Sequence, residues 1–125
     1  KGIKKYILFN NGEKLMASKL KIDGGKIKDG GRQVGLIKNG TVYRGTVASS
    51  SYLLAMTKND VIYNRSSASS SYCIGMVKNG TIYNKNTASS SYKVGTTRDA
   101  ERVIDGRCSD AELAAIYILM KAGIL

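Results

Sequence analysis

The amino-acid sequence predicts a mainly β protein, in which tandem twenty-residue β-hairpin repeats form a solenoid or fibre-like array and a short α-helix follows at the C-terminus. Three consecutive segments share one pattern at a fixed period, which indicates a repeat architecture. In each, apolar and β-branched runs flank Asn-Gly or Asn-Asp, the strongest short-range hairpin signal. The segments read VGLIKNGTVYRGTVASSSYL at 34–53, LAMTKNDVIYNRSSASSSYC at 54–73 and IGMVKNGTIYNKNTASSSYK at 74–93.

The repeats divide the chain into three parts. Residues 1–33 form an N-terminal hairpin and a glycine-rich segment: YILFNNGEKL predicts a hairpin around Asn11-Gly12, and LKIDGGKIKDGGRQ predicts a glycine-rich loop or short hairpin. Residues 34–98 hold the three repeats and a partial fourth, which begins at Val94 and then departs from the pattern. Residues 99–125 form a linker and the helix.

The turn residues fix the pairing within each repeat. Asn39-Gly40 and Asn79-Gly80 both tolerate the positive φ of a type I′ turn, whereas Asn59-Asp60 does so less readily, so the middle hairpin is predicted to be the most strained. Counting outward from two-residue turns predicts the cross-strand partners. They are Lys38 with Thr41, Ile37 with Val42, Leu36 with Tyr43, Thr57 with Ile62, Met56 with Tyr63, Val77 with Ile82 and Met76 with Tyr83.

Both faces of the predicted hairpins are apolar. Strand side chains alternate between faces, so the aliphatic pairs lie on one face and the Leu-or-Met/Tyr pairs on the other. An antiparallel sheet with one wet face shows cleaner alternation. The second face therefore needs a cover, from neighbouring repeats or from another copy of the chain, and we expect a homo-oligomer, with a trimer first and a dimer second.

The segment Ala-Ser-Ser-Ser-Tyr joins successive hairpins at 48–52, 68–72 and 88–92. Small side chains allow backbones to approach closely, and serine hydroxyls bond to local backbone groups. Three interpretations stay open: a plain extended connector, a serine ladder stacked between rungs or chains, and a ligand-binding Ser/Tyr stripe.

The C-terminal segment has helical periodicity. Ser109 and Glu112 make a capping box, and Gly123 suits the end of a helix, so the sequence predicts a helix over about Asp110 to Ala122. Its apolar side chains leave little polar face, which predicts burial against its own sheet or a partner. The residues at i, i+3, i+4 and i+7, proposed as an assembly helix, are Leu113, Ile116, Tyr117 and Met120.

Composition limits the functions available. The chain is basic, with net charge +11, which attracts nucleic acid, an anionic membrane or an acidic protein, unless the lysines are simply solvated strand positions. It has no His and two Cys, so no catalytic residues, metal site or cofactor are predicted, and the chain is not expected to be an enzyme. Cys73 and Cys108 are expected to be reduced thiols, which favours an intracellular site of assembly.

Other motifs are weak or short. Gly24-Gly25 and Gly30-Gly31 lack the spacing of phosphate-binding loops. The N-terminal residues lack the apolar run of a signal peptide, and Leu113 to Leu125 is shorter than the roughly 20 residues of a membrane-spanning helix. Neither secretion by a signal peptide nor a membrane span is predicted.

Two resemblances follow from the repeat. In period and Lys-Asn-Gly turn, residues 34–93 resemble the choline-binding and clostridial-toxin cell-wall repeats. This resemblance implies a β-solenoid that binds sugars or choline between its rungs, with Tyr43, Tyr63 and Tyr83 as the aromatic residues that follow each turn.

The second resemblance is architectural. Short β repeats, Gly- and Ser-rich connectors and a terminal helix resemble the fibre, spike and decoration proteins of phage virions. It implies a structural, self-associating component attached to a capsid or tail, located in the virion after assembly in the host cytoplasm. A glycan-binding repeat module is the alternative, and a basic nucleic-acid-binding protein the third. The predicted binding residues are Tyr43, Tyr63, Tyr83, Tyr52, Tyr72 and Tyr92.

Overall fold

The structure, a computed structural model, describes residues 6–8, 14–16 and 19–125. It is mainly β with a C-terminal helix, as the sequence predicts. The strands are β1 Tyr6–Leu8, β2 Lys14–Met16, β3 Leu20–Asp23, β4 Lys26–Asp29, β5 Arg32–Lys38, β6 Thr41–Arg44, β7 Leu53–Lys58, β8 Val61–Tyr63, β9 Cys73–Lys78, β10 Thr81–Tyr83, β11 Lys93–Thr96 and β12 Ile104–Asp105, and the helices are α1 Thr97–Glu101 and α2 Asp110–Lys121.

One ten-stranded sheet contains β3 to β12. From β3 to β11, each strand pairs antiparallel with the next one in sequence, and β12 pairs parallel with β3. Strands β1 and β2 form a separate antiparallel pair, which agrees with the predicted N-terminal hairpin, while its predicted turn at Asn11-Gly12 lies outside the described residues. Of the two interpretations of the glycine-rich segment at 20–33, the short hairpin is confirmed and the loop is wrong: Gly24-Gly25 and Gly30-Gly31 are the turns of two antiparallel strand connections.

The predicted register is confirmed in all three hairpins. Strands β5 and β6 pair Leu36 with Tyr43 and Ile37 with Val42, and the next two hairpins repeat these pairs twenty and forty residues later. Each turn has two residues at positive φ, including Asn59 at 52° and Asp60 at 64°. The middle turn therefore adopts the same conformation as the others without a glycine.

Successive hairpin turns are linked to each other. The carbonyl oxygen of Gly40 accepts hydrogen bonds from the Thr57 amide at 2.9 Å and the Thr57 hydroxyl at 2.7 Å. The Asp60 carbonyl accepts from the Val77 amide at 3.0 Å, and the Gly80 carbonyl from the Thr97 amide at 2.9 Å. These bonds hold the three turns, Asn39-Gly40, Asn59-Asp60 and Asn79-Gly80, in one row at one end of the strands, here called the turn edge.

The ten-stranded sheet is curled. Its end strands in the described part of the chain are β11 and β12, and residues 97–103 connect them. Seven residues span at most about 25 Å, whereas ten strands laid flat would separate the end strands by about 43 Å. The two ends of the sheet must therefore approach each other, although β11 and β12 do not pair and the sheet is not closed.

Helix α2 fills the concave side of this sheet. Its residues 113–117 are all buried, and a run longer than one turn covers every side of a helix. They pack with the inner-face residues Val42, Ala55, Ile62, Val77 and Ile82 in one hydrophobic core. The predicted bounds and capping box are confirmed: Glu112 N donates to Ser109 Oγ at 3.0 Å, and Ser109 N donates to Glu112 Oε1 at 2.9 Å.

Small residues let α2 approach the sheet. Ala55, Gly75 and Gly95 hold equivalent positions in successive repeats, and all three are buried. A Cβ at Gly75 would lie 2.5 Å from Ile118 Cδ1, and one at Gly95 would lie 2.8 Å from Tyr117 Cε2. Larger side chains at these positions would push the helix out of the curl.

The sequence did not predict α1 or β12. Helix α1 begins where the fourth repeat departs from the pattern, and Thr96 and Asp99 form its reciprocal capping box. Sequence could have found this helix, because Thr-x-x-Asp resembles a capping box. Strand β12 is a two-residue parallel pairing between distant segments, which carries no local signal.

Candidate binding surfaces

The face of the sheet opposite α2, called the outer face here, carries the Leu-or-Met/Tyr pairs. Its residues alternate with the buried inner-face residues, as the predicted pairing requires. Of its tyrosines, Tyr63 is 9% exposed, whereas Tyr43 and Tyr83 are half-buried, like the aliphatic side chains beside them. The outer face consists of Leu36, Met56, Met76, Tyr43, Tyr63 and Tyr83.

Lysines border the outer face. Lys38, Lys58 and Lys78 lie at the turn edge, two residues beyond the outer-face aliphatic residues and therefore on the same side of the sheet. Lys93 pairs with Tyr83 at the other end of its strand. All four are exposed, so this apolar surface has a positive border.

The second surface is the connector edge, defined as residues 45–52, 64–72 and 84–92. These segments join β6 to β7, β8 to β9 and β10 to β11, so all three lie at the sheet end opposite the turn edge. None is a plain extended connector. Each ends in a 3₁₀ turn, at Ser50–Tyr52, Ser70–Tyr72 and Ser90–Tyr92.

The serine hydroxyls act within their own turns. Ser49 Oγ accepts from Ser51 N at 3.4 Å, Ser89 Oγ accepts from Ser91 N at 3.3 Å, and Ser69 Oγ lies 3.0 Å from Ser71 Oγ. The Ser49 and Ser89 bonds are local capping contacts, as expected for Ser before a turn, whereas Ser69 makes a side-chain contact within its turn and no cap bond. The predicted ladder between rungs does not appear among the hydrogen bonds of the described residues.

Each connector turn presents a tyrosine. Tyr52 is 48% exposed and Tyr72 is 36% exposed, while Tyr92 is half-buried. In the second and third connectors a cation lies over the ring: Arg65 Cζ is 5.4 Å from the Tyr72 centroid, and Lys85 Nζ is 5.6 Å from the Tyr92 centroid. The first connector has Gly45 at the equivalent position.

The backbone anchors these tyrosines beside the cations. Asn64 N donates to Tyr72 O at 2.9 Å, and Asn84 N donates to Tyr92 O at 2.8 Å. Asn64 directly precedes Arg65, and Asn84 directly precedes Lys85. Each bond therefore holds the backbone next to the cation against the tyrosine of the same connector. The cation–tyrosine pairs join two ends of a connector, and sequence spacing alone did not indicate them.

The proposed assembly residues of α2 lie inside the molecule. Leu113, Ile116 and Tyr117 belong to the core, and Met120 is half-buried against it. Their burial is thus accounted for by contacts within one chain.

Cys73 and Cys108 are free, half-buried thiols. Burial, together with the nearby carboxylates of Glu112 and Asp110, raises the pKa of the Cys108 thiol to about 11. A thiol of this pKa is protonated at neutral pH and is a poor nucleophile.

Within residues 6–8, 14–16 and 19–125, no helix is long and apolar enough to cross a membrane. The same residues contain no group of three or more His, Cys, Asp or Glu side chains placed to hold a metal ion.

Comparisons of this chain with models of protein families, with curated proteins and with solved structures found no match.

Proposed function

We propose that this chain is a non-enzymatic structural component of a virion or similar large assembly, of the fibre, decoration or tail- and capsid-associated kind. Its tandem hairpins would act as repeated contact units. One observation supports this proposal above the others: the outer face lies outside the helix-filled core, yet it presents half-buried Leu, Met and Tyr side chains at a regular interval. A sheet face that contacts only water is normally polar.

The proposed partner on the outer face is a second copy of the chain. Equivalent side chains recur on every second strand, about 10 Å apart. Copies that place this face against the repeats of a neighbouring copy would therefore make the same contact several times. Helix α2 is buried in the core of its own chain, so self-association is assigned to the repeats. A trimer is the favoured state.

The lysine border gives the proposed association a characteristic salt dependence. Lys38, Lys58, Lys78 and Lys93 of each copy would approach like charges on the next copy, and like charges repel less when salt screens them. Association should therefore strengthen as salt rises. Light scattering across a dilution series, at low and at high salt, measures this directly, and we expect an oligomer whose dissociation constant decreases with added salt.

A pair of variants tests the role of the outer face. Met56→Gln with Met76→Gln replaces apolar contact by polar atoms, and we expect at least a tenfold weaker association, about 1.4 kcal/mol. Ser67→Gln with Thr87→Gln makes two equivalent changes on exposed connector residues and should leave the mass unchanged. A monomer at every concentration and salt would contradict self-association, as would equal behaviour of the two double variants.

A further inference from the structure

We propose that the connector edge binds an acidic glycan, with the Arg65–Tyr72 and Lys85–Tyr92 pairs as its two anionic-sugar sites. This function goes beyond the assembly role proposed above and uses a different surface. It rests on the repeated geometry of the connectors, on the chemistry that they expose, and on the distribution of charge.

The repeated geometry places equivalent groups at a regular interval along one edge. The residues that precede the three turns have nearly the same backbone angles: φ −116° and ψ 144° at Ser49, −94° and 140° at Ser69, and −115° and 141° at Ser89. Connectors follow every second strand, so neighbouring tyrosines are about 10 Å apart. A row of tyrosine rings at a regular interval suits a polysaccharide, whose sugar rings also repeat at a regular interval.

The exposed chemistry is that of a sugar-binding surface. A sugar ring has an apolar C–H face and a rim of hydroxyl groups, and a tyrosine offers both a ring surface and a hydrogen-bonding hydroxyl. Around Tyr72 the exposed groups include the hydroxyls of Ser70 and Ser71 and the amide of Asn64. Tyr72 itself is exposed enough, at 36%, to accept a ligand along its ring.

The cations specify an acidic ligand. Arg65 and Lys85 are exposed, and neither has a carboxylate partner among the described ion pairs. Each lies over a tyrosine ring, so its position is set before a ligand arrives. A guanidinium binds a carboxylate with two parallel hydrogen bonds, which favours a uronic acid at Arg65.

The surrounding charge favours an anion along the whole edge. From residue 34 to residue 96 the chain has seven basic residues and one acidic residue, Asp60, so this region carries 7 − 1 = +6. Asp60 lies at the turn edge, at the far end of the strands. Within residues 34–96, the connectors therefore carry no carboxylate that would oppose an acidic ligand. The nearest acidic turn residue at that end of the sheet is Asp29, beside the first connector, which has no cation–tyrosine pair.

A nucleic acid fits this surface less well. Binding of a single strand combines a continuous track of cations with a row of stacking rings. The first connector has no cation because Gly45 holds the position, and the Lys38, Lys58 and Lys78 row lies at the opposite edge. In the outer-face row, Tyr63 is 9% exposed and offers little ring surface to a base.

The test is a calorimetric titration of the whole chain with a linear galacturonic acid oligosaccharide, its uncharged methyl ester, and a thymidine oligonucleotide of matched charge. We expect the acid to bind at least tenfold more tightly than the ester, since a hydrogen bond between two charged groups is stronger than one between neutral groups. Arg65→Gln with Lys85→Gln should reduce acid binding by at least tenfold and leave ester binding unchanged.

Lys38→Gln with Lys78→Gln is the matched control, because it removes two equivalent charges from the turn edge. It should retain acid binding to within about twofold at moderate salt. Tyr72→Ala should weaken binding more than Tyr52→Ala, whose ring has no cation. Circular dichroism confirms that each variant is folded.

Three results would each overturn the proposal: no binding of the acid at low salt, equal losses from the connector and turn-edge variants, or tighter binding of the oligonucleotide. Failure of self-association leaves this test unaffected, because the outer-face and connector variants change different residues.

Discussion

At the residue scale, Asp60 is where the repeat and the backbone conformation disagree. Its φ of 64° is left-handed, and the equivalent residues of the other two hairpins are Gly40 at 75° and Gly80 at 78°. A side chain in this conformation costs energy that glycine does not pay, although Asp tolerates it better than most residues. The second repeat therefore has the least favourable turn.

Asp60→Gly should stabilise the protein by about 1 kcal/mol, because it removes the strain of the left-handed residue. Urea denaturation followed by circular dichroism measures the free energy of unfolding. Gly80→Asp is the matched reverse change and should destabilise by a similar amount. A Cβ at Gly80 would meet only Thr97 Oγ1 at 3.6 Å, an ordinary contact, so the reverse variant tests the backbone alone. A loss of stability in Asp60→Gly would show that the carboxylate matters more than the conformation.

The connector cations are a second residue-scale difference between repeats. Positions 45, 65 and 85 are Gly, Arg and Lys, while Tyr occurs at 52, 72 and 92. The chain thus contains its own comparison, since the three 3₁₀ turns have similar backbone angles at the residue before them, whereas the first connector has Gly45 at φ 80° in place of the cation. This difference makes the first connector an internal control for the proposed glycan site.

At the element scale, helix α2 depends on small residues in the strands beneath it. Gly75 is the tightest of these positions, since a Cβ there would contact both the Tyr83 carbonyl oxygen and Ile118 Cδ1. Ala55 shows that a methyl group fits the equivalent position one repeat earlier. The repeats are therefore equivalent in register but not in the space that they leave for the helix.

Gly75→Ala should destabilise the protein by about 1–3 kcal/mol, because overpacking forces the helix or the strand to shift. Ile118→Val removes the Cδ1 atom, so adding it should recover part of the loss. Thermal or urea unfolding of the two single variants and the double variant measures this coupling. If the losses of stability are additive, the contact with the Tyr83 carbonyl oxygen alone, and not the contact with Ile118, destabilises the Gly75→Ala variant. An Ala variant as stable as the parent would contradict the close approach of the helix.

At the scale of the whole molecule, one core joins the repeats to the helix. The sheet curls so that its inner face surrounds α2, and Ile116, which is 0% exposed, lies in the middle of the helix. A linear repeat array unfolds from its ends, because each unit contacts only its neighbours. Here, several repeats share contacts with one helix, so we expect sheet and helix to unfold together.

Ile116→Ala should lower the free energy of unfolding by about 2–5 kcal/mol, the range for a large-to-small change in a core. Far-ultraviolet circular dichroism and tyrosine fluorescence should give the same midpoint, displaced equally from that of the parent. Met120→Ala, at a half-buried position of the same helix, is the control and should lose less. Loss of the helical signal before the tyrosine transition would contradict a single shared core.

The charge distribution is also a property of the whole molecule. Most basic residues of the repeats lie at the turn edge, along the outer face or at the connector edge. The exception is Arg44, which pairs with Gly35 at the end of the inner face and donates to the Ile124 carbonyl oxygen at 3.5 Å while remaining exposed. Burial of the inner face against α2 explains this division, because an unpaired charge there would lose its hydration. The exposed side of the sheet is consequently the positive side.

The local sequence determined the parts of this protein that depend on neighbouring residues. Asn-Gly turns set the hairpin register, and the Ser109–Glu112 capping box and Gly123 set the ends of α2, because each signal acts within one or two turns of the chain. The tyrosines were likewise identifiable from the repeat. The connectors were harder, since Ser-rich segments are compatible with extended, turn and ladder arrangements.

Only the tertiary structure decided which apolar face is covered, and by what. Periodicity showed that both sheet faces and the helix were apolar, but the partner of each depends on how strands far apart in sequence curl around α2. The short connection at 97–103, the β12–β3 pairing and the small column at Ala55, Gly75 and Gly95 together set that curl. The same long-range geometry left the outer face without a covering helix and left Tyr52 and Tyr72 exposed at the connector edge, because one helix can cover only one side of a sheet.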